Sequence, residues 1–178
     1  MKREWTGEQS GDRKGCTVTT TTTTRGIVID APVEKVLAFL TDPEKAVQAF
    51  PMGRNVTVSD IAISPEGAVT SYRETMPVRL GPLHFHVRDT VTVQEYVANQ
   101  RMVDKSSTGP IHEWTVEPSG SGTRLRFTGT VSTRIPLLDK VKVFVFTRGR
   151  GQARNMDMVL AEVKKLVEAE AQPPQAAD

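Results

Sequence analysis

The sequence predicts an α+β domain in which a curved seven-stranded antiparallel sheet wraps one long C-terminal helix, with two short helices between strands 1 and 2. Three observations carry this. From Arg54 to about Arg134, short β-rich runs alternate with turn signals too closely for crossover helices, which forces an antiparallel meander. From Pro136 to about Ala169, apolar residues recur at helical spacing. Between the first strand and the meander stand two helix-start signals, Asp30 to Pro32 and Asp42-Pro43.

The first strand is expected over 18–29. Its run of threonines from Thr19 to Thr24 is β-branched, favours the pleated conformation and flows directly into Ile27-Val28-Ile29. Asp30 then reads as the N-cap of a helix carrying Val33, Val36, Leu37 and Leu40 on one face. Asp42 caps the next, with Pro43 at its first position, Ala46, Val47 and Phe50 as its stripe, and Pro51 as its stop. Six strands follow, separated by Ser64-Pro65-Glu66-Gly67, Pro77 to Gly81-Pro82, Ala98-Asn99-Gln100, Thr108-Gly109-Pro110 and Ser119-Gly120-Ser121-Gly122. The segment from Pro136 then reads as one helix of about nine turns. Residues 1–16 and 171–178 are polar, the latter with two prolines, and read as flexible tails around a domain spanning 17–170.

Composition narrows the function classes. A chain of 178 residues holds one domain with a real core, and a net charge of +2 is too small to imply nucleic acid. The single cysteine, Cys16, excludes a disulfide framework and a cysteine-based metal site. With no apolar run approaching the roughly 18 residues of a membrane span, and no apolar segment behind the N-terminal basic residues, a cytoplasmic protein is expected.

The order of elements, together with Ile29-Asp30-Ala31-Pro32-Val33-Glu34-Lys35-Val36, Thr41-Asp42-Pro43-Glu44, and His112-Glu113-Trp114-Thr115-Val116-Glu117-Pro118 running into Thr123-Arg124-Leu125-Arg126-Phe127, resembles the START/Bet v1-like (SRPBCC) superfamily. Within it, the bacterial polyketide cyclase/dehydrase and lipid-transport proteins are the nearest type. The resemblance covers about 17–170 and implies the helix-grip fold, with a long hydrophobic cavity under the C-terminal helix. Its motifs specify the fold; members include carriers, receptors and cyclases, so the activity stays open.

Strand parity selects the residues expected to face that cavity. In the strand after Pro82, Phe85, Val87, Val91 and Val93 share a face with Asp89. Trp114 and Val116 bring His112 inward, and Tyr72 and Met76 bring Glu74. Phe127 is a further apolar lining candidate. A buried carboxylate beside a histidine suits acid–base chemistry, so His112 with Asp89 or Glu74 forms a candidate catalytic set. The alternative is that these groups simply line the pocket. His84 and His86 share a strand face, but it is the outer one, so no metal site is expected. The Gly149-Arg150-Gly151 segment does not open a dinucleotide motif, because Arg154 stands where the third glycine belongs, and no cofactor is expected.

Along the C-terminal helix the apolar stripe loses bulk between Arg148 and Met156. Arg148, Gln152, Asn155, Met156 and Val159 are the expected ligand contacts there. Arg134, Lys140, Lys142, Arg148, Arg150 and Arg154 stand against Asp139 alone, as either a solvated face or a guide for an anionic ligand or an anionic membrane surface. The primary expectation is a protein that binds or transports a hydrophobic small molecule, such as a lipid, polyketide or isoprenoid. A cyclase/dehydratase is the alternative, and an interaction module with an exposed apolar patch is a third.

Overall fold

The computed structural model describes residues 19–51, 53–133 and 151–171. Seven strands, β1 (Thr19–Ile29), β2 (Thr57–Ile63), β3 (Val69–Leu80), β4 (Leu83–Val97), β5 (Arg101–Ser106), β6 (Ile111–Ser119) and β7 (Gly122–Thr133), form one antiparallel sheet. Its order is β1-β7-β6-β5-β4-β3-β2, a meander from β2 to β7 closed by β1 on the far edge. Three helices complete the described chain: α1 (Val33–Thr41), α2 (Pro43–Ala46) and α3 (Gln152–Ala171).

The threonine run is a strand for a visible reason. Thr20, Thr22 and Thr24 point outward and meet Ser132, Thr130 and Thr128 across the β1–β7 pair, hydroxyl to hydroxyl at 2.9, 3.1 and 3.0 Å. Such cross-strand hydroxyl pairs contribute a few tenths of a kcal/mol each, about 0.2–1. The alternate residues Ile27 and Ile29 turn inward to the core.

The two helix starts differ. Asp42 Oδ1 accepts the backbone N–H groups of Glu44 and Lys45 at 3.1 and 3.3 Å, with Pro43 at the first position, as the sequence predicts. Asp30, by contrast, does not cap α1. Pro32 occupies that position without a side-chain cap, because the strand runs to Ile29 and the chain needs Ala31 and Pro32 to turn. The Asp30 N–H instead donates to Glu168 Oε1 on α3 at 2.7 Å. Beyond α2 the expected apolar stripe continues as a short 3-10 turn, Val47–Ala49.

A single helix from Pro136 does not run through to the C-terminal segment. Gly151 is non-helical, and its carbonyl accepts the first helical hydrogen bond, from the Asn155 N–H at 3.1 Å. The expected turns before Gly151 lie outside the described residues. From Gln152 on, α3 buries Met156, Val159, Leu160, Val163 and Val167. It packs chiefly on β1, with lesser contacts to β7, α1 and the 3-10 turn. The core therefore sits at the β1/β7 end of the sheet, where Ile29, Leu125, Val36, Leu37, Val159 and Val163 are sealed from solvent. Each such side chain contributes about 1.5–3 kcal/mol by burial. The rest of the inner face, toward β3–β6, is left for a cavity.

Candidate functional site

The cavity, of about 230 Å³, lies between the inner face of the sheet, α3, the end of α1 and the turns after α2. Its apolar wall comprises Leu40, Val47, Phe50, Met76, Val91, Met102, Trp114, Phe127 and Met156. Trp114 and Phe127 face each other across β6 and β7 and stack with ring centroids 3.9 Å apart. Phe127 and Phe50 flank the His112 ring at 5.6 and 6.1 Å.

One side of the wall is polar, and strand register builds it. Glu74 on β3 is the cross-strand partner of Asp89 on β4, and Asp104 on β5 is the partner of His112 on β6. Tyr72 lies two residues from Glu74 on the same face, and all five line the cavity. Asp89 is satisfied by the β5–β6 turn: Ser106 Oγ donates to Oδ2 at 2.5 Å and Ser107 Oγ to Oδ1 at 2.8 Å. Gly109 makes that turn possible, since its φ of +119° lies where side chains are strained. Asp104 is buried and pairs with His112 Nδ1 at 2.9 Å.

The electrostatics follow from this packing. Burial pulls the His112 imidazole down, but the hydrogen bond and charge of Asp104, with Glu74 and Asp89 behind, outweigh it and hold the ring above its ordinary value. Burial, reinforced by the charge of Asp89, pushes the Glu74 carboxyl up to about 7. Tyr72 is raised by burial and by the neighbouring carboxylates, and stays a phenol. Neither the Glu74 carboxyl nor the Tyr72 hydroxyl makes a hydrogen bond to a described residue. A paired imidazole, a carboxyl that titrates near neutrality and a free phenol therefore face the same space, and can exchange protons with a bound molecule or fix its polar end.

A model of the family described as polyketide cyclase / dehydrase and lipid transport matches residues 16–168. The chain belongs to this family. Among curated proteins nothing matches it. Solved structures give the fold of family-like chains: a START superfamily protein from Mycobacterium smegmatis superposes with a TM-score of 0.62 at 14% identity, covering 84% of this chain and 98% of that one. A protein of unknown function from Staphylococcus aureus gives 0.63 at 12%, covering 88% and 98%. A protein from Thermus thermophilus gives 0.55 at 20%, covering 86% and 100%. At these identities the likeness is one of fold.

Within this family member, the structure brings Tyr72, Glu74, Met76, Asp89, His112, Trp114, Phe127, Gln152, Asn155 and Met156 to one cavity. Phe85 and Val87 are not on its wall. They share the inward face of β4 with Asp89, but the β3–β4 hairpin runs past the cavity, and Phe85 is 45% exposed. Val159 is fully buried in the core cluster rather than lining the cavity, because α3 presses that side chain toward the β1 end. Arg148 and most of the basic run lie outside the described residues. His84 and His86 are exposed on the outer face of β4. Among the described residues no helix is long and apolar enough to cross a membrane.

Asp104 and Ser106 are the residues that strand parity did not single out. The signal was in Arg101-Met102-Val103-Asp104-Lys105-Ser106, where one buried apolar residue, Met102, shares its face with both.

Proposed function

We propose that the protein binds a compact hydrophobic small molecule in this cavity, apolar body against Phe50, Trp114, Phe127 and Met156, polar end against Tyr72, Glu74 and His112. The observation that carries the reading is the division of one cavity into an aromatic and aliphatic wall and a polar wall with open hydrogen-bonding positions. Ligand sites combine an apolar lining with a few placed polar groups in this way, at volumes of about 300–1,000 Å³, and this cavity lies just below that range. Native mass spectrometry after mild purification tests it. The expected result is a non-covalent adduct lost on denaturation, or uptake of the uncharged fluorophore phenylnaphthylamine. A bare chain that also excludes the fluorophore overturns the reading.

A second reading, acid–base conversion of the bound molecule by a cyclase or dehydratase, is favoured by the His112–Asp104 pair at 2.9 Å beside Glu74. In it His112 moves a proton, Asp104 orients the ring and Glu74 serves as the partner acid or base. Replacing His112 with Asn retains a hydrogen-bonding group near the position of Nδ1 without the proton chemistry. Full product formation by His112→Asn on an accepted polyketide removes this reading and leaves binding intact.

A further inference from the structure

The polar wall has an uneven charge count. Among the described residues that line the cavity there are three carboxylates, on Glu74, Asp89 and Asp104, and no lysine or arginine. Two of the three are provided for: Asp104 by the His112 ring, Asp89 by the hydroxyls of Ser106 and Ser107. Glu74 has no hydrogen-bond donor among the described residues, and the one cationic group that faces it, His112, is already engaged by Asp104, although Glu74 stands directly across the strand pair from Asp89. An ionised carboxylate taken out of water is costly unless it is paired, and a second carboxylate beside it raises the cost. The aromatic rings of Phe50, Trp114 and Phe127 that share the cavity have electron-rich faces, which attract cations and give anions nothing.

We propose that the cavity takes an amphiphile whose polar end is a protonated amine, seated against the unpartnered Glu74 carboxylate with Asp89 behind it, in preference to a carboxylate- or phosphate-bearing lipid. The inference rests on the cavity being the ligand site and adds the chemical class of what enters it. It also assigns Glu74 a role distinct from proton transfer: its missing counter-ion arrives with the ligand. Near neutrality the same deficit favours a proton on Glu74, and a bound ammonium group displaces that proton. Tyr72, Asp89, Asp104 and His112 are the titratable groups that face Glu74, and of these only His112 carries positive charge, already engaged by Asp104.

The test compares octylamine, octanol and octanoate, which share a chain and differ in the charge of one end, as competitors of phenylnaphthylamine on the alkaline side of neutrality. Octylamine is expected to bind at least about tenfold more tightly than octanol, and octanoate more weakly than either. Glu74→Gln is expected to bring octylamine to the level of octanol in direct calorimetric titration, and its circular dichroism and cooperative urea melt show that the variant is folded. Near neutral pH, calorimetry in buffers of different ionisation enthalpy should show proton release with octylamine and none with octanol. Equal affinity for octylamine and octanol, or tighter binding of octanoate, overturns this inference and leaves the binding function standing. Failure of the fluorophore and of all three competitors overturns both.

Discussion

Glu74 is held in the folded chain at an electrostatic cost whose sign can be followed with pH. Its carboxyl is raised from the ordinary 4.5 to about 7. Below 4.5 both folded and unfolded chains keep the proton and nothing is lost. Between the two values the unfolded chain ionises first, so stability falls as pH rises, and above 7 the full cost applies, roughly 2–3 kcal/mol for a partly solvated group. Glu74→Gln removes the titration. In urea melts its stability relative to the natural chain should rise through this window and level off above it, whereas a constant offset at every pH would contradict the assignment. His112 has the same sign: the Asp104 pair stabilises the fold below the ordinary histidine value, and that contribution is lost as pH rises through the raised one. Replacing Asp104 with Asn leaves burial as the main influence, so the His112 midpoint in an NMR titration should drop below 6.5. An unmoved midpoint would separate Asp104 from the imidazole. Glu74, Asp89 and His112 were legible in the sequence because each shares its strand face with unmistakable apolar neighbours. Asp104 was not, since β5 has only Met102 to mark its inner face, and a strand of Asp and Ser looks like a solvent-facing one. The irregularity in β4 falls between Val93 and Glu95, past Asp89, and so leaves the parity there undisturbed.

Among elements, α2 is the one whose start depends most plainly on a single side chain. It has four residues, too few to be stable alone, and Asp42 satisfies two of its free N–H groups. Asp42→Ala is expected to cost about 1 kcal/mol in denaturant unfolding, and Asp42→Asn, which keeps the acceptor, much less. The same sequence pattern at Asp30 misleads. The two-residue spacing between Ile29 and Pro32 makes the turn, and a cap at Asp30 stands too early to reach the first N–H groups of α1. At the other end of the chain, helical spacing continues on both sides of Gly151 although the stripe thins there, because a stripe of side chains does not mark the residue at which a helix starts. The two glycines flanking Arg150 were the visible signal, and Gly151 stands just outside α3, which begins at Gln152.

On the scale of the whole molecule, one inner face serves two purposes: a solid core under α3 at the β1/β7 end, and an open cavity toward β3–β6. Substitutions should separate them. Leu160→Ala, in the core and off the cavity wall, is expected to lower stability by about 2–5 kcal/mol without changing phenylnaphthylamine affinity. Met156→Ala, on the wall, should change both, and equal effects of the two on affinity would mean that core and cavity are not separate. The sheet order and the grip of the helix were legible because spacing alone forbids crossovers. How far along each strand the cavity extends was not, because parity gives a face and not a limit, which is why Phe85 and Val87 were expected on a wall that stops short of them. Gln152 joins the two regions. Its side-chain oxygen accepts from Thr23 Oγ1 and its nitrogen donates to the Gly129 carbonyl, each at 3.2 Å, while the same side chain lines the cavity. A single amide thus moors the leading turn of α3 to two strands, and any occupant that borrows it slackens the mooring. Filling of the hidden space should then be readable from outside, as faster hydrogen exchange at the backbone of that turn while the remainder of α3 stays protected.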